Sequence, residues 1–254
     1  MKIKTGKETP GKETPGKKNN DRMGTLNKTK KNGTVRAIVL DMDGLMIDTE
    51  PLYKRSMQQT ARELGYDLYD EFMLSLVGRQ DSDCRRLIAR HFGDGFPQDA
   101  FWSGWPKIWR QIASTEGIAR KPGLEELLSF LSDTGLPAAL ATSTYREQAD
   151  FSLSAASVEY PFAHMVTGDQ IGRGKPAPDI FLEAARRLEV PPQHCVALED
   201  SENGIRSAAA AGMTAIMVPD LIPPSDEIRR LANHVLESLH DVRAFLAKME
   251  LGPA

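Results

Sequence analysis

The stretch IVLDMDGLMIDTE (38–50) runs an apolar segment straight into a cluster of carboxylates, Asp41, Asp43, Asp48 and Glu50. Like charges this close repel and raise one another's pKa. A fold that keeps such a cluster uses it for a cation, for proton transfer, or for both. The flanking run VRAIVLD (35–41) is short, apolar and rich in β-branched residues, which predicts a buried strand. Asp41 and Asp43 then stand at the C-terminal end of that strand.

Working outward, the same rhythm returns further along the chain. PAALATST (137–144), FAHMVTGD (162–169), HCVALED (194–200) and MTAIMVPD (213–220) read as strands, with NHVLES (233–238) as a last edge strand. Helical patterns lie between them in GLEELLSFLSDTG, PDIFLEAARRLE and SENGIRSAAAAG. Strands alternating with helices in short units predict an α/β fold: a doubly wound, Rossmann-like parallel sheet with helices on both faces. The segment after Glu50 breaks the rhythm. PLYKRSMQQTARELG (51–65) has helical spacing through Leu52, Met57, Ala61 and Leu64, with Pro51 at its start and Gly65 at its end. YDEFMLSLVG, SDCRRLIARHF and PKIWRQIAS continue as helices. The expected organisation is a basic tail (1–33), a discontinuous core (34–50 and 119–254) and an inserted α-helical cap domain (51–118).

Ligands of doubly wound sheets bind at the C-terminal strand ends. Here those ends carry Asp41 and Asp43, then Thr142, Ser143 and Thr144, then Gly168 and Asp169, then Glu199 and Asp200. The loop GKPAPD (174–179) adds Lys175. Aspartates are hard oxygen ligands suited to Mg²⁺, and a lysine is a compact cation for a phosphate or a carboxylate. Hydroxyls and amides after Thr142 would hold anionic oxygens. An aspartate can attack phosphorus directly, and a second one beside it can serve as acid and base.

These residues in this order resemble the haloacid dehalogenase superfamily, in the branch with a helical cap after the first motif. The resemblance rests on DMDG (41–44), the strand-end Thr142, Lys175 in GKPAPD, the ED pair at 199–200, and the flanking GLMIDTE and EDSENGIRSAAAAGM, and it spans about residues 35 to 245. It implies Asp41 as nucleophile, and Asp43 as general acid/base and metal ligand through its backbone carbonyl. It implies phosphoryl binding by Thr142, Ser143 and Lys175, and Mg²⁺ held by Asp41, Asp43 and Asp200 with Glu199 beside it. In the resembling enzymes the cap loop that here holds Arg79 faces the site, so Arg79 is the expected specificity residue. The implied activity is hydrolysis of a small phosphorylated metabolite, a sugar or polyol phosphate. The rival is a β-phosphoglucomutase-type transfer between positions of a sugar phosphate. Such mutases carry a His four residues after the motif threonine, where this chain has Tyr53, and a Lys before the cap-loop Gly, absent from SLVG. A dehalogenase would lack Asp43. A phosphonate hydrolase would need a cap lysine, for which only Lys54 stands near the hinge. A silent sugar-phosphate sensor would not need the full set of Asp41, Asp43, Lys175 and Asp200.

Composition narrows the setting. The chain has 254 residues, 41% hydrophobic and 26% charged, with no apolar run of the ~18 residues that a membrane span needs. Cys84 and Cys195 lack CxxC spacing and read as thiols in a reducing, cytoplasmic setting. The net charge of −3 hides an asymmetry: residues 1–33 hold ten Lys/Arg against three Asp/Glu and repeat KETPG. Such a segment cannot offset its ordering entropy and reads as a solvated tail rather than a nucleic-acid or membrane binder. A monomer acting on a small molecule is the expectation. Asp48 is expected to cap the next helix or fix the turn. Trp102, Trp105 and Trp109, spaced by 3 and 4, read as core. Arg146, just past the phosphate-binding strand end, is an open choice between a distal anion contact and solvent.

Overall fold

The computed structural model describes residues 34–76 and 81–253; the basic tail and Arg79 lie outside them. Strand β1 (Ala37–Leu40) is buried at every position, because it is covered on both faces. Ile38 and Leu40 point to one face of the sheet, Ala37 and Val39 to the other. This period of two repeats in β4 (Ala138–Ala141), β6 (Cys195–Glu199) and β7 (Thr214–Met217). With β5 (His164–Val166) and β8 (His234–Val235) they form a six-stranded sheet in the order β5-β4-β1-β6-β7-β8, and every neighbouring pair is parallel.

The two faces are packed with different stock. Against the bulkier face lie α5 (Leu124–Thr134), α6 (Arg146–Ala155) and α10 (Leu239–Leu246), through Leu127, Leu131, Leu153, Val242 and Leu246. The opposite face presents Ala37, Ala139, Ala141, Ala197 and Ala215. Its short side chains admit α7 (Asp179–Arg187) and α8 (Glu202–Ala210) through Phe181, Ala184, Ile205 and Ala208, with α9 (Asp226–Leu231) at the edge. A parallel sheet needs such covering on both faces.

The chain leaves the sheet after β1, makes a short ribbon of β2 (Ile47–Asp48) antiparallel to β3 (Ala119–Arg120), and between these strands forms α1 (Glu50–Glu63), α2 (Asp70–Leu74), α3 (Asp81–Phe92) and α4 (Gln98–Glu116). The helices have their own apolar cluster, including Leu68, Met73, Ile88, Phe101 and Trp102. The base of the α1–α4 pair belongs instead to the sheet-face cluster, through Leu52, Trp109 and Ala113. Tyr53 is held there by Trp109, stacked at 5.4 Å, and by the edge of Trp105 at 5.6 Å between centroids. The tryptophan spacing thus serves packing. The PKIWRQIAS pattern extends further back than its sequence suggests, with Pro106 inside α4. Helix α6, α9 and α10 and the β2–β3 ribbon were not expected from the sequence.

Candidate active site

Each parallel strand ends at the same edge, and order reverses around β1, which has β4 on one side and β6 on the other. That crevice is where the polar residues gather. A cavity of about 460 Å³ opens there, lined by Asp41, Asp43, Thr142, Ser143, Lys175 and Asp200 with Glu50, Asn203, Asp220 and Leu221.

Lys175 organises the floor. Its ammonium donates to Asp41 Oδ1, to Glu199 Oε1 at 2.5 Å and to the Ala141 carbonyl at 3.0 Å. An ammonium has three hydrogens, so its donors are all committed. Burial alone would push the lysine down, but the Asp41 and Glu199 carboxylates outweigh it and hold the ammonium above its ordinary value. Asp41 is pushed up to about 7, chiefly by burial, with Lys175 opposing and Glu199 and Asp43 reinforcing. Asp200 is raised well above its ordinary range by burial and by the charges of Glu199 and Asp41.

Asp43 faces away from this knot. Its carboxylate accepts from the hydroxyls of Thr49 at 3.0 Å, Thr144 at 2.7 Å and Thr142 at 3.5 Å. Burial raises its pKa and these hydroxyls pull it back. Thr49 sits at the N-cap of α1 yet makes no capping bond, because its hydroxyl goes to Asp43. The chain leaving for the helical insertion is thereby tied to Asp43. Thr144, noted in the sequence only as a polar strand end, is the shortest of these partners.

Glu199 is fully buried, and its second oxygen accepts from the Asp200 and Ser201 amides at 3.1 and 3.0 Å and from the Ser201 hydroxyl at 3.0 Å. A Cβ on Gly204 would lie 1.8 Å from this carboxyl carbon, so α8 can approach only as glycine. Gly44 has φ +82, and a Cβ there would sit 2.4 Å from Asp200 Oδ2. The loop after Asp43 therefore folds over Asp200 only without a side chain.

Oxygens of Asp41, Glu199 and Asp200 lie within 4.8 Å of one another. Three carboxylates against the single Lys175 leave two negative charges, the complement of a divalent cation. The upward push on Asp41 and Asp200 fits this: a second cation would hold both ionised. The donor set is all oxygen, which suits a hard ion.

Other polar residues go elsewhere. Asp169 accepts from the Thr167 hydroxyl at 2.7 Å and the Arg146 amide at 3.1 Å, fixing the loop after β5. The Arg146 side chain pairs with Asp150 on its own helix at 2.8 Å. Asp48 caps nothing, since the N-cap is Thr49; it faces Lys121 at 3.7 Å. Lys121 in turn holds Asp220 at 2.6 Å. Sequence reasoning missed Asp220, whose strand-end position after β7 was the available signal. Glu50, which entered only as part of the carboxylate cluster, faces the cavity. It is pushed up to about 7 by burial and by Asp220, Asp43 and Asp48, with Lys121 opposing.

Comparison with known proteins identifies the family. Residues 38–218 match the haloacid dehalogenase-like hydrolase family. The chain is 36% identical to a Drosophila melanogaster protein named "Probable pseudouridine-5'-phosphatase", covering 81% of this chain and 90% of that one. It is 31% identical to a phosphorylated carbohydrates phosphatase of Thermotoga maritima, covering 72% and 84%. The crystal structure of CbbY from Rhodobacter sphaeroides in complex with phosphate superposes with a TM-score of 0.69 at 28% identity, covering 82% of this chain and 96% of that one.

Proposed function

This chain belongs to the haloacid dehalogenase-like hydrolase family, and from that premise we propose that it is a Mg²⁺-dependent phosphatase. Its substrate is a small phosphorylated metabolite, a sugar phosphate, cleaved through an aspartyl-phosphate. One observation carries the reading: Lys175 is locked between Asp41 and Glu199 at the floor of a cavity whose wall is Thr142 and Ser143. Such a floor can orient one carboxylate oxygen while neutralising the charge around a phosphoryl group.

Asp41 Oδ1 is occupied by Lys175, so its other oxygen attacks phosphorus. The bond from phosphorus to the ester oxygen breaks, and Asp43 gives its proton to that oxygen. Water then loses a proton to Asp43 and attacks phosphorus, breaking the bond to Asp41 and releasing phosphate. The Thr142 hydroxyl and the Ser143 amide hold the phosphoryl oxygens. Mg²⁺ would be held by Asp41, Asp200 and the Asp43 carbonyl, with Glu199 fixing the loop beside them; when bound it neutralises charge on the phosphoryl oxygens. The helices between β2 and β3 act as a cap over the cavity.

A mutase is the second reading. Tyr53 argues for hydrolysis, because it stands where the resembling mutases carry His and is pinned by Trp105 and Trp109. Burial, reinforced by Asp43 and Glu50, raises its phenol well above its ordinary value, so it stays protonated and takes no proton at neutral pH. The test is phosphate release with Mg²⁺ or EDTA, with wild type and Asp41→Asn. Turnover should need the metal and fall by several orders of magnitude in the variant. A folded Asp41→Asn protein keeping a tenth of wild-type kcat would overturn the nucleophile. With β-glucose 1-phosphate and a trace of the bisphosphate, free phosphate should dominate; glucose 6-phosphate accumulating faster would promote the mutase.

A further inference from the structure

Two apolar clusters divide the helical insertion, and the antiparallel pair α1 and α4 runs through both. Near the sheet, Leu52 of α1 and Trp109 and Ala113 of α4 belong to the cluster of the sheet face. Further out, Ala61 of α1 and Phe101 and Trp102 of α4 belong to the insertion's own cluster, with Met73, Leu76 and Ile88. Trp105 packs against both. The inner half is fastened. Arg55 of α1 grips Glu116 of α4 at 3.1 and 2.8 Å. Arg110 of α4 pairs with Glu147 of α6 at 3.0 Å, and its guanidinium lies 4.7 Å from the centre of the Phe151 ring.

Between the clusters both helices are softened at one level. Helix α4 reads Ser103-Gly104-Trp105-Pro106 there. Pro106 has no amide hydrogen to give the Trp102 carbonyl, and its ring crowds that carbonyl. The Ser103 hydroxyl donates back to the Asp99 carbonyl at 2.7 Å. In α1 the buried Ser56 hydroxyl donates to the Tyr53 carbonyl at 2.9 Å, and the buried Thr60 hydroxyl donates to the Ser56 carbonyl at 2.8 Å. Hydroxyls that bond back to the preceding turn bend helices, and proline and Gly/Ser pairs are where helices kink. The two soft segments face each other: a Cβ on Gly104 would lie 3.0 Å from the Thr60 methyl carbon. A rigid helix pair gains nothing from an interior proline beside its closest approach, since proline weakens the helix.

We propose that the insertion bends within itself at this level. Ser56–Thr60 and Gly104–Pro106 form a pivot about which α2, α3 and the outer ends of α1 and α4 move, while the inner half stays fixed to the sheet core. The bend acts on the mouth of the polar cavity. An apolar recess of about 450 Å³ lies across the pivot, lined by Tyr53 from the inner half, Met57 at the pivot, Met73, Leu74 and Leu76 from the outer half, and Leu221 from the loop after β7. Leu221 also lines the polar cavity. Leu74 is 60% exposed and Leu221 50%. Bending the outer half inward narrows the recess and covers both side chains, which the hydrophobic effect favours. The mouth can therefore close on the core without breaking the Arg55–Glu116 and Arg110–Glu147 pairs at the base.

The test reads motion rather than turnover, so it stands apart from the phosphatase reading. Spin labels are placed on the full chain in a Cys84→Ser background, Cys195 being buried. Ala89→Cys in α3 paired with Ser129→Cys in α5 spans the pivot; Ser114→Cys in α4 paired with Ser129→Cys does not. All three positions are exposed. The distance distribution of the first pair should be at least about twice as broad as that of the second, as a hinge between them requires. Pro106→Ala returns the missing amide, and Thr60→Val removes the back-bond in α1 while keeping the side chain's shape. Each should narrow the first distribution toward the second and leave the second unchanged, and Pro106→Ala should also raise the melting temperature. Two equally broad distributions would mean that the insertion moves as a block on the β2–β3 ribbon. Two equally narrow ones would mean that it does not move. Either result overturns the pivot, as does a broad first distribution that neither variant narrows.

Discussion

Two lysines of this protein each stand between two carboxylates, and their surroundings separate them. Lys175 bridges Asp41 and Glu199, with side-chain exposures of 7%, 9% and 0%. Lys121 lies between Asp220 and Asp48, with exposures of 22%, 10% and 32%. The first group is almost shut off from solvent, so each member depends on the others. Removing one partner of a buried pair strands the rest, whereas a partly solvated pair is screened and loses little. The first arrangement holds the Asp41 carboxylate, the proposed nucleophile, in one orientation. The second joins the chain where it returns from the helices, at Lys121, to the loop after β7, at Asp220. On the proposed reading the same residue types do chemistry in one place and stapling in the other, and local burial decides which.

The sharpest way to break this comparison is to remove each ammonium. Lys175→Met should lower kcat by ~10³-fold or more and cost about 3–5 kcal/mol in stability. Adding Asp41→Asn should recover part of the stability and none of the activity, as read by denaturant melts and phosphate release. If Lys175→Met melted like wild type, the charges of the floor would not be interdependent. A smaller effect is expected at Asp43. Thr144→Val removes its 2.7 Å partner and should lower kcat by about tenfold, with Thr144→Ser restoring it and KM little changed. Smaller again, Lys121→Met should cost about 1 kcal/mol and leave kcat near wild type. A loss as large as that of Lys175→Met would erase the distinction between the two lysines.

What could be read beforehand follows the same division. The strands were legible because burial on both faces forces unbroken apolar runs such as AIVL (37–40) and CVAL (195–198), and their polar ends locate Asp41, Thr142 and Asp200 at one edge. Partners were not legible. Nothing in the order of residues says that Thr49 and Thr144, 95 positions apart by their numbers, meet on Asp43. Asp48 looked like a cap because carboxylates before helices often are; the structure gives the N-cap to Thr49, which spends its hydroxyl elsewhere. Helix α6 was missed because REQADFSLSA opens on charged and polar residues and only Ala149, Ser152 and Leu153 are buried. The apolar recess was invisible for a related reason: Tyr53, Met57, Met73 and Leu76 come from separate turns of two helices and the segment after them, and each alone reads as ordinary core.

Glu50 gives the last and smallest test, and it sharpens the comparison by pH. It shares the Lys121 side of the site with Asp48 and Asp220, near Asp43, and only Lys121 opposes them. Burial and these neighbours raise its folded pKa from 4.5 to about 7. A carboxyl whose folded pKa lies above its unfolded value binds its proton more tightly when folded. Its ionisation therefore favours the unfolded chain, and the penalty is absent below pH 4.5 and complete above about pH 7. Glu50→Gln abolishes the ionisation. The variant should melt with wild type at pH 4.5 and several degrees above it at pH 8.5. Combining it with Lys121→Met should enlarge the difference at pH 8.5, since the lysine would no longer offset the carboxylate in the parent. The pH 4.5 curves should stay together. A gain that is the same at both pH values would mean that Glu50 is held by packing or hydrogen bonds rather than strained by its charge.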